Sequence, residues 1–209
     1  MDVVKQLKWR YATKKFDNSL KLSDKKIEIL KQAFNLTATS FGLQTIKLII
    51  ISDKYIREQL LKHSYNQKQV LDASHLLVIC IQDNILEEDV EALYDNIKNI
   101  RDKSNSILYP YKNSLVEMME KKSVEERLRW SSNQAYIALG NLMTVCAIEE
   151  IDSCPMEGFD TKAFDEILNL KDKNLISTLL LSVGYRAQDD MFATLKKVRK
   201  DLSHTVIEM

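Results

Sequence analysis

The stretch SVEERLRWSSNQAYIALGNLMTVCAIEEI, residues 123–151, decides the fold. It opens on Ser123 and Glu126, spaced as a capping box in which the serine hydroxyl takes the amide of the third helical residue and the glutamate reaches back to the cap's own amide. From there Leu128, Ala135, Leu139, Leu142, Met143 and Cys146 recur at helical spacing, with no proline or turn cluster between them. The apolar stripe is wide, and a helix of this kind is covered on more than one side. The spacing therefore predicts a long, buried central helix running to about Ile151.

Outward from that helix, three short apolar runs read as strands, at residues 46–51, 76–81 and 178–183. None alternates cleanly, which implies burial on both faces with helices on either side. Ser23 caps a helix whose Ile27, Leu30 and Phe34 share a face, and a further helix follows Ser52 with Ile56 and Leu60 turned inward. Residues 86–126 are polar and charged and read as an insertion. With only four Gly, two Pro and no repeat, residues 1–209 read as one domain, helix-rich with a small sheet, of the α+β or α/β class.

Thirty basic residues balance thirty acidic ones, so no global field draws the chain to nucleic acid or to an acidic membrane. No apolar run approaches the ~20 residues needed to cross a bilayer, and the start lacks a secretory apolar region. Cys80, Cys146 and Cys154 have no Cys-x-x-Cys spacing and read as buried thiols of a protein in a reducing cytoplasm. His63, His75 and His204 lack metal-ligand spacing, so no metal site is expected. There is no Gly-x-Ser-x-Gly elbow, no Gly-x-x-x-x-Gly-Lys loop and no Gly-x-Gly-x-x-Gly turn, which argues against a serine hydrolase, a P-loop nucleotidase and a Rossmann dinucleotide site.

What the chain does carry is charge in pairs. Trp9-Arg10-Tyr11-Ala12-Thr13-Lys14-Lys15-Phe16-Asp17 near the start is answered by Lys197-Val198-Arg199 near the end. Guanidinium groups fork onto phosphate oxygens and ammonium groups act as point charges, so two such clusters closing on one small anion would suit a phosphate monoester.

Taken with these, six motifs in order resemble the FMN-dependent nitroreductase family, near its oxygen-insensitive NAD(P)H nitroreductase and dihydropteridine reductase branch. Residues 10–17 are similar to that family's opening Arg-x-Ser-x-Lys-x-Phe signature. Thr39-Ser40-Phe41-Gly42-Leu43-Gln44 is similar to its Ser-Ser-x-Asn-x-Gln loop. Leu71-Asp72-Ala73-Ser74-His75, Gln134-Ala135-Tyr136 with Gly140-Asn141, Pro155-Met156-Glu157-Gly158-Phe159 and Lys197-Val198-Arg199 follow.

The resemblance implies an α+β fold with a small central mixed sheet flanked by helices, in an intertwined homodimer that binds FMN at the subunit interface. It implies NADH or NADPH as reductant and a small electron-poor acceptor such as a nitroaromatic or quinone, reduced by ping-pong hydride transfer. Arg10, Lys197 and Arg199 would bind the phosphate, and Lys14 would lie at the N1 and O2 edge of the flavin. Asn66 would hydrogen-bond the pyrimidine edge, Tyr11, Ala12, Gln69, Pro155 and Met156 would flank the cofactor, and the backbone of Glu157 and Gly158 would face N5 and O4. Thr39, Ser40 and Gln134 would come from the partner, Gly42 stands at a further cofactor-binding position, and Phe41 and Tyr65 would be pocket walls. The flavin carries the chemistry, so no catalytic side chain is expected.

Four positions depart from the family pattern: Ala12 for a usual serine, Gly42 for a usual asparagine, Gln69 for a lysine in the nearest branch, and the pair Thr45-Ile46 for a usual Pro-Trp. A flavin reductase or reductive dehalogenase on the same fold, or a cofactor-free interaction protein, stays open at this point.

Overall fold

Four strands pair into one sheet in the order β1-β2-β4-β3, with β1 at Ile46–Ile51, β2 at His75–Gln82, β3 at Asp152–Met156 and β4 at Leu175–Gly184. They belong to a computed structural model that describes residues 2–101 and 105–209, so residues 102–104 of the polar stretch 86–126 lie outside the described residues. All three pairings are antiparallel. The mixed sheet expected above is corrected to this extent: the parallel element among the described residues is an isolated bridge between Ala12 and Ser153.

The central strands explain why their runs did not alternate. Leu77, Ile79 and Ile81 of β2 enter one apolar cluster with Leu179, Leu181 and Val183 of β4, while Leu76, Val78 and Cys80 enter a second cluster with Leu180. Successive side chains point to opposite faces, and here both faces are core. The first cluster is roofed by α2 (Asp24–Asn35) and α7 (Val124–Ile148). The second is covered by α3 (Lys54–Leu61) and α8 (Thr161–Ile167), with Leu60 and Phe164 fully buried.

The long helix α7 opens as its sequence dictates. Glu126 N donates to Ser123 Oγ at 3.2 Å, and Ser123 N donates to Glu126 Oε2 at 2.7 Å. It ends at Ile148, three residues short of the expected limit. Glu150 takes φ +52°, Ile151 N bonds the Cys146 carbonyl at 2.8 Å, and Glu150 N bonds that of Ala147 at 3.3 Å. This is a Schellman ending with a glutamate where glycine is usual, and buried Ile151 supplies its apolar contact. Ser23 caps α2 as read, and the helix expected after Ser52 is α3, capped by Asp53, which accepts from Tyr55 N at 2.7 Å and Ile56 N at 3.1 Å.

Residues 86–126, read as an insertion, form α5 (Glu87–Arg101) and α6 (Asn105–Glu120), which pack over a cluster of Leu43, Ile85, Val90, Leu115 and Met119. Arg127 ties this pair to α7 by donating to Asn84 Oδ1 at 3.0 Å and to the carbonyls of Met119 and Lys122. The remaining helices are α1 (Val3–Trp9) and the short α4 (Gln69–Asp72). The three cysteines are buried and unbridged, and no helix among the described residues is long and apolar enough to cross a membrane.

Candidate functional site

The two chain ends meet beside β3. After α1 the backbone turns extended at Arg10 and runs along β3, where Thr13 N donates to the Ser153 carbonyl at 3.2 Å. Trp9 and Tyr11 lay their rings over the Arg186 guanidinium, at 4.4 and 4.7 Å, and Arg186 Nε donates to Asp152 Oδ1 at 2.7 Å. A cavity of about 430 Å³ is lined by Lys8, Arg10, Lys14, Lys196, Lys197 and Arg199, with the apolar surfaces of Trp9, Phe192, Leu195 and Val198.

Among the described residues no carboxylate lines that cavity and none pairs with any of its six cations. Lys197 Nζ donates to the Arg10 carbonyl, while Arg10 Nε is buried without a partner. Burial and then the charge of Arg199 pull the Arg10 pKa below its ordinary value; burial, Arg10 and Arg199 do the same to Lys197. Mutual repulsion of this sort is relieved by an anion.

One buried carboxylate fixes the geometry. Asp190 Oδ2 accepts from the Tyr11 hydroxyl at 2.8 Å, Lys14 N at 3.0 Å and Lys15 N at 3.1 Å, and its Oδ1 accepts from Phe192 N at 3.0 Å. The neighbouring Asp189 pairs with the Lys15 ammonium. Lys14, by contrast, points to β3, its Nζ 4.0 Å from Cys154 Sγ.

At the end of β3 the sequence-expected turn approaches the loop before α4. Gln67 Nε2 donates to the Gly158 carbonyl at 3.0 Å and to that of Ser64 at 3.1 Å, and the Tyr65 ring lies against Gly158. Tyr65 and Asn66 both sit in left-handed backbone, at φ +53° and +55°, and both side chains are exposed. Tyr136 of α7 reaches Glu157: burial, then a hydrogen bond to that carboxylate, raise the phenol's pKa. Met156 and Gln69 are buried, so Met156 can offer this corner only backbone.

Thr39, Ser40 and Gln134 also come together, but elsewhere. Ser40 N donates to Gln134 Oε1 at 2.9 Å, and Thr39 Oγ1 is buried without a partner. Thr39 lines a second cavity of about 470 Å³ between α2 and β1, floored by Phe34, Ile46, Leu48 and Ile50 and edged by Lys31 and Lys47. Phe41 is exposed, and Gly42 takes φ +71°. That conformation is one glycine and asparagine share, so the Gly-for-Asn departure at this position suits the backbone. The helices α5 and α6 neighbour this loop: Ala92 and Leu93 line a hollow with Gly42 and Gln44.

Asp152, Arg186, Asp189 and Asp190 were not legible as site residues. The one local signal was an Asp-Asp pair a few residues before a basic run, which has many solvated counterparts on any surface.

Set beside known proteins, residues 7–185 match the pattern of the Nitroreductase family. A Staphylococcus epidermidis protein provisionally named an NAD(P)H nitroreductase is 29% identical over 211 residues, covering 96% of this chain and 94% of its own length. Among solved structures, a Bacillus subtilis protein described as a nitroreductase superposes with a TM-score of 0.88 at 18% identity, covering 99% of this chain and 98% of its own. A protein from Exiguobacterium sibiricum, solved in complex with FMN, superposes at 0.84 with 17% identity, covering 100% and 98%.

Proposed function

Since this chain belongs to the nitroreductase family, we propose that it is an FMN-dependent NAD(P)H oxidoreductase that reduces nitroaromatics, quinones or related electron-poor acceptors in ping-pong fashion. The single observation that carries this reading is the cavity in which cations from both chain ends converge with no carboxylate and a buried, unpartnered Arg10 Nε. A phosphate monoester fits that donor set, because it offers up to two charges and several acceptor oxygens to groups that otherwise repel one another. In this reading Arg10, Lys197 and Arg199 hold the phosphate, with Tyr11 and Ala12 at the cavity wall.

When bound, FMN supplies the hydride relay between the nicotinamide and the acceptor. The chain's own residues supply position and charge. Lys14 lies between the cation cavity and β3, where a positive group stabilises negative charge on an electron-rich ring. Pro155 presents no amide donor, and the backbone at Gly158 is held by Gln67, which lies between Asn66 and Gln69 in the chain, so Met156, Glu157 and Gly158 would edge the ring there. Tyr65 walls it, its ring against Gly158. No side chain need act as acid or base.

The reading includes a homodimer of single-domain subunits. Every residue of α1 is at least partly exposed, Val3, Val4 and Leu7 among them, and on α7 Tyr136 and Ile137 face outward beside Gly140, whose Cα has open space around it. Apolar surface of this extent supports covering by a second copy. That copy would bring Thr39, Ser40, Phe41, Gly42 and Gln134 to complete the pocket. The test is the absorption spectrum of the purified protein followed by anaerobic titration with NADH and with NADPH. A flavin band bleached by one of them is expected; a protein that binds no flavin would overturn the proposal.

A further inference from the structure

Lys14 and Lys15 are adjacent, yet the structure gives them different fates. Lys15 is neutralised by Asp189, while among the described residues no carboxylate pairs with Lys14, whose ammonium is turned to Cys154 on β3. Their backbone amides converge on one oxygen of Asp190, which also takes the Tyr11 hydroxyl. Asp190 itself stands at the head of the segment that carries Lys197 and Arg199, and its second oxygen accepts Phe192 N from that segment. It is 4% exposed.

We propose that Asp190 is the positioning residue of the phosphate site: one buried carboxylate fastens the segment bearing Arg10 and Lys14 to the segment bearing Lys197 and Arg199, and so fixes the spacing of cations that would otherwise drive apart. The inference rests on the flavin reading above and deepens it. Three features support it. The carboxylate joins positions more than 170 residues apart in sequence, through bonds spanning 179, 176 and 175 residues. Asp190 does not line the cavity, so it can hold the two segments together without competing with the ligand. Burial would push its pKa up, but hydrogen bonds from Phe192 N, Tyr11, Lys15 N and Lys14 N outweigh that and leave it below the ordinary carboxylate value, so the group stays ionised at neutral pH.

The test compares FMN with riboflavin, which lacks the phosphate, as ligands of the full-length apoprotein. Asp190→Asn keeps the size of the side chain but turns one acceptor oxygen into a donor facing N–H and O–H groups. The variant should lose about ten- to a hundredfold in FMN affinity while its riboflavin affinity changes by less than about threefold, because the loss of hydrogen bonds to a charged group falls on phosphate alignment. General loosening of the fold would weaken both ligands equally, so unchanged discrimination between them would overturn the proposal. Tyr11→Phe removes one donor and keeps the buried carboxylate; it should reduce discrimination in the same direction by a smaller factor, and serves as the deciding variant if Asp190→Asn does not fold. Failure of the wild-type protein to bind either flavin would instead sink the flavin reading itself.

Discussion

Two cavities of nearly the same size, about 430 and 470 Å³, sit at opposite characters of this molecule. One is walled by six cations gathered from both ends of the chain; the other has an apolar floor from α2 and β1 with two lysines at its edge. Volume does not separate them. What does is how their charges are held: the first is backed by buried Asp190 and by the Arg186–Asp152 pair, whereas Lys31 of the second pairs on the surface with Glu28. A cation whose neighbours are fixed by buried carboxylates has already lost the freedom that ligand binding would otherwise cost.

The sharpest way to break this comparison is to empty the first cavity of its guanidinium groups. Replacing both Arg10 and Arg199 with alanine should weaken FMN roughly 10²–10⁴-fold, read by fluorescence titration, and give protein that purifies without a flavin band. A double variant that keeps full flavin occupancy would erase the distinction between the cavities. Next in size is a change that both regions should feel alike. Leu142 is fully buried where α7 meets the sheet, so Leu142→Ala should cost about 2–5 kcal/mol in chemical unfolding yet leave the FMN-to-riboflavin preference of the folded protein as it was.

A smaller effect concerns electrons rather than affinity. Lys14→Met should lower the midpoint potential of bound flavin by roughly 30–70 mV, the range expected for removing one nearby charge at intermediate dielectric. An unchanged potential would remove Lys14 from its assigned role. The acid limb of stability gives a subtler check. The Asp190 pKa is depressed on folding, so its contribution is present above the unfolded carboxylate value of about 4 and is lost as pH falls through the folded value. Asp190→Asn should therefore flatten the fall in stability below about pH 4 in unfolding curves taken at several pH values. The smallest effect is reserved for the second cavity: Lys47→Glu should alter FMN affinity by less than about twofold, since an exposed lone charge contributes little.

The parts of this protein legible in its sequence are those set locally. Ser123 with Glu126, and Ser23, satisfy orphan amides within one helical turn, so the starts of α7 and α2 follow from residues three apart. The interior of β2 is a continuous apolar run, and β1 is one but for Lys47. β3 is different: Asp152, Ser153 and Pro155 carry no strand pattern, and the segment is extended because β4 pairs with it across some thirty residues. The direction of strands is likewise not a local property, so nothing in the runs themselves could correct the mixed sheet that the resemblance implied. Helix α5 was hidden by its charge, although Val90 and Leu93 fall on one face, and α6 by Pro110 inside it. Of the candidate site, the cations were readable as clusters. The carboxylates that aim them were not, because Asp190 acts on residues at the far end of the chain.

The central claim is that the converging cations hold a phosphate, and the wild-type protein can test it alone. The ratio of its riboflavin and FMN dissociation constants, measured by fluorescence quenching at low salt, should be at least about a hundred, since several charge-assisted hydrogen bonds reach only the phosphate-bearing ligand. A ratio near one would contradict the account.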